Sequence, residues 1–82
     1  MQVILSQDAQ KQFQRLSPPV RKKVKGKLEA LKNNALAGKK LAGELQGYRS
    51  VRAWPYRIIY EVNTQRKVIF IHKIAHRQGA YK

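Results

Sequence analysis

The spacing of apolar residues changes character twice along this chain. Residues 2–5 hold the short run Val3, Ile4 and Leu5, a strand-like stretch that stops at Ser6. Ser6 has the chemistry of a helix N-cap, and Asp8 falls in the first turn, where a negative charge complements the helix dipole. Ala9, Gln12, Phe13 and Leu16 then recur by three and four, one narrow stripe on a helix of about ten residues. Ser17-Pro18-Pro19 closes that helix and opens the next, because a serine followed by proline in the first turn is a start signal. In the second helix Val20, Val24, Leu28 and Leu31 recur by four, four and three, while Arg21, Lys22, Lys23, Lys25 and Lys32 occupy the rest of the surface. It frays at Asn33-Asn34. Residues 35–47 contain Gly38, Gly43 and Gly47 and read as a connection with room for one helical turn.

Beyond Gly47 the period becomes two. Residues 48–54 predict a strand with Val51 and Ala53 on one face and Ser50, Arg52 and Trp54 on the other; Pro55 then imposes a turn or bulge. Tyr56, Ile58, Tyr60 and Val62 alternate with Arg57, Ile59 and Glu61 in a second, strongly β-prone strand, its first set facing the helices. Residues 63–66 form a tight connection. Residues 67–74 alternate again, Val68, Phe70, His72 and Ile74 against Ile69, Ile71 and Lys73, which predicts a buried or half-buried His72 beside core-facing Phe70 and Ile74. The expected fold is therefore α+β: an N-terminal strand, a two-helix hairpin, then a three-stranded antiparallel run completing a four-stranded sheet. Two helices cover one face of such a sheet, giving two layers and leaving the other face open.

Length and charge sharpen this picture. Residues 1–82 make a single domain, and a chain this short buries only about 60% of the surface its unfolded form exposes. There is no cysteine, so disulfides and thiolate chemistry are excluded. No apolar run approaches a signal segment or the roughly 18 residues of a membrane span, and the chain reads as cytoplasmic, with no membrane partner. Lys and Arg number 18 against 4 Asp and Glu, a net charge of +14 that points to a polyanionic partner. One Asp, three Glu and two His, spread over separate elements, do not assemble a metal site, and the three glycines of residues 35–47 lack the spacing of a phosphate loop; neither metal nor cofactor is expected.

The basic residues of the β half carry the candidate chemistry. Arg49, Arg52, Arg57, Lys73 and Arg77 are placed to converge on the open face, with Tyr48, Trp54 and Tyr81 near its edges and His76 beside Arg77. Arginine's fork suits phosphate and flat rings suit unstacked bases; a merely solvated charge row on an open sheet is the alternative. Trp54 stacks on a base, fills the core or meets a protein partner. Without a metal, RNA cleavage would use the substrate's own 2′-hydroxyl, and His76 and Tyr81 are the titrating candidates near the arginines. The lysines of the second helix, Lys27 among them, are a solvated face able to grip phosphates without precise geometry.

Leu45-Gln46-Gly47-Tyr48-Arg49-Ser50-Val51-Arg52, then Tyr56-Arg57-Ile58-Ile59-Tyr60-Glu61-Val62, then Ile74-Ala75-His76-Arg77-Gln78-Gly79-Ala80-Tyr81, together resemble the RelE/ParE superfamily of bacterial and archaeal toxins, and the resemblance spans essentially the whole chain. Similarity to the RelE branch implies an endoribonuclease that cleaves mRNA in the ribosomal A site, inhibits translation and is silenced by a cognate antitoxin in a heteromeric complex. Similarity to the ParE branch implies instead a DNA gyrase inhibitor on the same fold. A nucleic-acid-binding module that keeps the fold without catalysis is a third reading. By resemblance, Arg57 contacts the scissile phosphate, Arg77 serves the leaving group, and Tyr81 orients or stacks on the substrate. Arg52 falls near a lysine that activates the 2′-hydroxyl, and Arg49 near a second phosphate-stabilising residue. Arg52 departs from that pattern, because a guanidinium with a pKa above about 12 is a poor base.

Overall fold

A computed structural model describes residues 1–77. Strand β1 (Gln2–Leu5) leads into helices α1 (Gln7–Arg15) and α2 (Pro18–Asn33), followed by strands β2 (Lys39–Lys40), β3 (Arg49–Ala53), β4 (Tyr56–Asn63) and β5 (Val68–His76). A single 3-10 turn, Gly43–Leu45, fills the connection before β3. Both helices start where the sequence places them. Ser6 Oγ accepts from the Ala9 N–H at 3.0 Å and donates to the His72 carbonyl at 2.7 Å, so one hydroxyl caps α1 and ties it to β5. Ser17 makes no side-chain cap; Pro18 and Pro19 open α2 through their fixed φ. Arg21 donates from Nη2 to the carbonyls of Gln14 and Leu16, at 3.1 and 3.0 Å, taking up groups that the end of α1 leaves unpaired.

The sheet runs β1-β5-β4-β3-β2. β1 lies parallel to β5 and every other pairing is antiparallel. The helices cover one face, where Ala9, Leu16, Val24, Leu28 and Leu31 close over Ile58, Tyr60, Ile69, Ile71 and Ile74. Each buried aliphatic or aromatic side chain there contributes about 1.5–3 kcal/mol.

Two features differ from the sequence expectation. The sheet has a fifth strand, β2, formed by two lysines in the glycine-bearing connection and paired as Lys39 to Ser50 and Lys40 to Arg49. Gly38 makes this possible: a Cβ there would stand 2.8 Å from Tyr60 Cε1, 2.9 Å from the Ser50 carbonyl, and closer still to the Tyr60 hydroxyl. Without one, the Gly38 N–H donates to Tyr60 Oη at 2.9 Å, and Tyr60 Oη donates to the Ala35 carbonyl at 2.9 Å.

The second difference is a bulge in β5. Ile59 pairs with Lys73 and the next residue, Tyr60, pairs with Ile71, so His72 is the extra residue. Strict alternation puts Phe70 and His72 with the core. The bulge instead reverses the phase, bringing Ile69 and Ile71 before it and Ile74 after it onto the helix side, and leaving His72 exposed. β1 reaches along β5 only as far as Ile71. Past that point α1 substitutes for a strand: Ser6 holds the His72 carbonyl, and Gln12 Oε1 accepts from the Ile74 N–H at 2.8 Å. This explains a glutamine in the otherwise apolar stripe of α1.

Candidate functional site

Strand register decides which basic residues share a face. Arg52 and Arg57 are direct cross-strand partners on β3 and β4. Their side chains alternate with Val51, Ala53 and Ile58, which face the helices, so both lie on the open face. Like charges directly opposite each other on a sheet repel. Arg52 is exposed and Arg57 half-buried. They line a groove of about 640 Å³ with Lys39, Lys40, Leu41, Ala42 and Ser50. Lys73, paired with Ile59, lies on this same face.

Arg49 goes the other way. It pairs with core-facing Tyr60, and its Nη1 donates to the carbonyls of Gly38 at 2.9 Å and Leu36 at 3.3 Å. Instead of joining the arginine pair, it fastens the segment that carries β2. Burial raises the pKa of the Tyr60 hydroxyl, outweighing the opposing effects of the Gly38 hydrogen bond and the nearby Arg49 charge.

At the far end of the sheet, Trp54 and Pro55 form the turn between β3 and β4. The Arg77 guanidinium lies 5.0 Å from the centre of the Trp54 ring, and the Arg77 N–H donates to the Pro55 carbonyl at 2.9 Å. Lys23 Nζ donates to the Trp54 carbonyl at 3.1 Å, bracing the turn from α2. Of the three roles open to Trp54, the core is ruled out, since it is 52% exposed. His76 pairs across the strands with Tyr56, and their rings meet edge to face at 5.5 Å. Tyr56 packs against the core, so His76 falls on the helix side of the strand end, whereas Ala75, the partner of Arg57, falls on the open side. His76 and the arginine pair therefore occupy opposite faces. Tyr81 lies outside the described residues.

Of the groove residues, Lys39, Lys40, Leu41, Ala42 and Ser50 were absent from the sequence-derived set. Ser50 is a buried polar residue, and its alternation with Arg52 along β3 was the available signal. Lys39 arrives on the two-residue strand β2, for which the sequence offers no periodicity. Among the described residues, no three His, Asp or Glu side chains gather as a metal-binding group. No described helix is long and apolar enough to cross a membrane.

These elements define a two-layer α+β domain with a basic groove on its open sheet face. The sequence profile of the ParE toxin of type II toxin–antitoxin systems matches residues 3–81, and the chain belongs to that family, within the RelE/ParE superfamily. It is 38% identical over 77 residues to a protein described as toxin RelE1 of Methanocaldococcus jannaschii, covering 88% of this chain and 84% of that one. A chain in the crystal structure of the RelBE2 toxin–antitoxin complex of Mycobacterium tuberculosis superposes with a TM-score of 0.84 at 27% identity, covering 93% of this chain and 96% of its own. The archaeal RelE–RelB complex of Pyrococcus horikoshii gives a TM-score of 0.81 at 26% identity, with coverages of 96% and 97%.

Proposed function

We propose that this toxin is an endoribonuclease that cleaves mRNA in the ribosomal A site without a metal, inhibiting translation in the cytoplasm, and that a cognate antitoxin silences it in a heteromeric complex. The observation that carries this reading is the facing pair Arg52 and Arg57 in the open-face groove. In such a reaction the 2′-oxygen bonds to the adjacent phosphorus and the bond to the 5′-oxygen breaks. A proton leaves the 2′-hydroxyl and another reaches the departing 5′-oxygen. The products are a cyclic phosphate and a free 5′-hydroxyl. Two guanidinium forks supply positive charge and planar hydrogen bonds where the phosphorane gains negative charge. Neither arginine accepts the 2′-proton. His76, on the opposite face, is poorly placed to do so for a phosphate held by this pair, and Lys39 on β2 and Lys73 on β5 are the amines on the strands that flank it.

Mapping 5′ ends on programmed ribosomes incubated with the purified chain tests the proposal. Arg52→Ala and Arg57→Ala should each slow single-turnover cleavage about 100-fold or more while ribosome binding survives. Arg77→Lys should also lose activity, because a point charge cannot reproduce the fork. Full cleavage by both alanine variants would place the chemistry elsewhere. The match to the ParE profile favours a second reading, inhibition of DNA gyrase. A supercoiling assay separates the two: inhibited supercoiling with no cleaved mRNA selects gyrase.

A further inference from the structure

A second constellation lies on the open face, four residues along β3 from Arg52. Tyr48 precedes the strand with the same alternation as Ser50 and Arg52, and its ring centre stands 5.1 Å from that of His72, the planes inclined by 37°. Because β4 separates β3 from β5 in the sheet, these rings meet above β4. His72 is the extra residue of the bulge, between core-facing Ile71 and open-face Lys73. Ile59, also on this face, is fully buried. Lys73 follows His72 directly and is half-buried. His72 is exposed and Tyr48 half-exposed, so two flat π surfaces stand open to solvent between Lys73 and the carboxylate of Glu61, on the face that holds the arginine pair.

Stacking surfaces beside a phosphate site are what single-stranded RNA requires, since every base has a π face and the backbone needs positive charge. Four residues of strand span about 13 Å, which an extended single strand crosses in about two nucleotides. We propose that Tyr48 and His72 form a stacking platform for one base of single-stranded RNA, about two nucleotides from the phosphate held by Arg52 and Arg57. This rests on the reading of that pair as the phosphate site. The platform is tolerant of base identity, because stacking alone recognises an aromatic plane. It fixes the register of the strand in the groove, which determines the phosphate presented to the arginines.

The test uses the purified chain and a fluorescent six-nucleotide RNA whose 2′-hydroxyls are all methylated to block cleavage, titrated at low salt. Removing one base at a time should weaken binding to the wild-type chain about tenfold at one position only. Tyr48→Ala and His72→Ala should each lose about tenfold on the intact RNA and nothing further on the RNA lacking that base. Tyr48→Phe should bind as wild type, and Tyr48→Leu, which preserves apolar bulk, should behave as the alanine variant. Uniform dependence on every base, or wild-type binding by Tyr48→Leu and His72→Ala, would overturn the platform. So would failure of the wild-type chain to bind the RNA. Cleavage on programmed ribosomes, run in parallel, reports on the nuclease alone: a chain that shows the one-position dependence but never cuts supports the platform and overturns only the nuclease.

Discussion

Tyr60 shows how much a single side chain can hold. Its hydroxyl bridges Gly38 and Ala35 inside the core, and Gly38 has no room for a methyl group. Tyr60→Phe should cost about 1–3 kcal/mol in urea unfolding, because a buried N–H and carbonyl lose their partner. The cost should also depend on pH. The folded-state pKa of Tyr60 lies above the ordinary value of 10.0, so above that pH the unfolded chain loses this proton more readily than the folded one. The stability associated with the raised pKa is fully present below about pH 10 and is lost as pH rises through the folded value. The gap between wild type and Tyr60→Phe should therefore narrow above pH 10; a gap that widens would contradict the burial-dominated shift. Trp54 offers a second readout. It is the chain's only tryptophan, and Arg77 covers one face of its ring. Arg77→Ala should change its emission intensity and increase its accessibility to a neutral quencher, whereas Arg49→Ala, distant in role and element, should leave both unchanged.

At the level of elements, the order strand, helix, helix, strands was legible because each rests on a local period or a cap. Ser6, Pro18 and the four-four-three spacing of α2 needed no tertiary information. The bulge at His72 escaped because strict alternation has no place for an extra residue. Its trace was present all the same: Ile69, Ile71 and Ile74 are spaced by two and then by three. Strand β2 left no trace, since two lysines acquire a partner only after Gly38 packs beneath Tyr60. The same contact takes Arg49 to the other face, so Arg52, Arg57 and Lys73 share the open face and Arg49 does not. Deleting residues tests this account. Removal of His72 should restore regular pairing with all three isoleucines still on the core side. Removal of Ile71 should put a histidine opposite Tyr60 and cost several kcal/mol, about that of emptying a core aliphatic site. Equal losses of stability from the two deletions would refute the bulge as the source of the phase change.

For the molecule as a whole, charge and topology set the behaviour. With +14 on 82 residues, association with an acidic partner should be fast, and its rate should fall about tenfold or more between low and physiological salt. Stopped-flow measurement with the antitoxin would show this, and a flat salt dependence would remove electrostatic steering from the account. Topology acts in time. β1 precedes both helices in the chain yet pairs, among the described strands, with β5 alone, and that strand also supplies Ile69, Ile71 and Ile74 to the core. A polypeptide growing from its N-terminus thus carries the arginine pair of β3 and β4 well before it owns the strand that anchors them. Products cut short by a broken message or a stalled ribosome have no closed sheet on which to hold those arginines. A strand far along the chain thus closes the sheet that begins at β1.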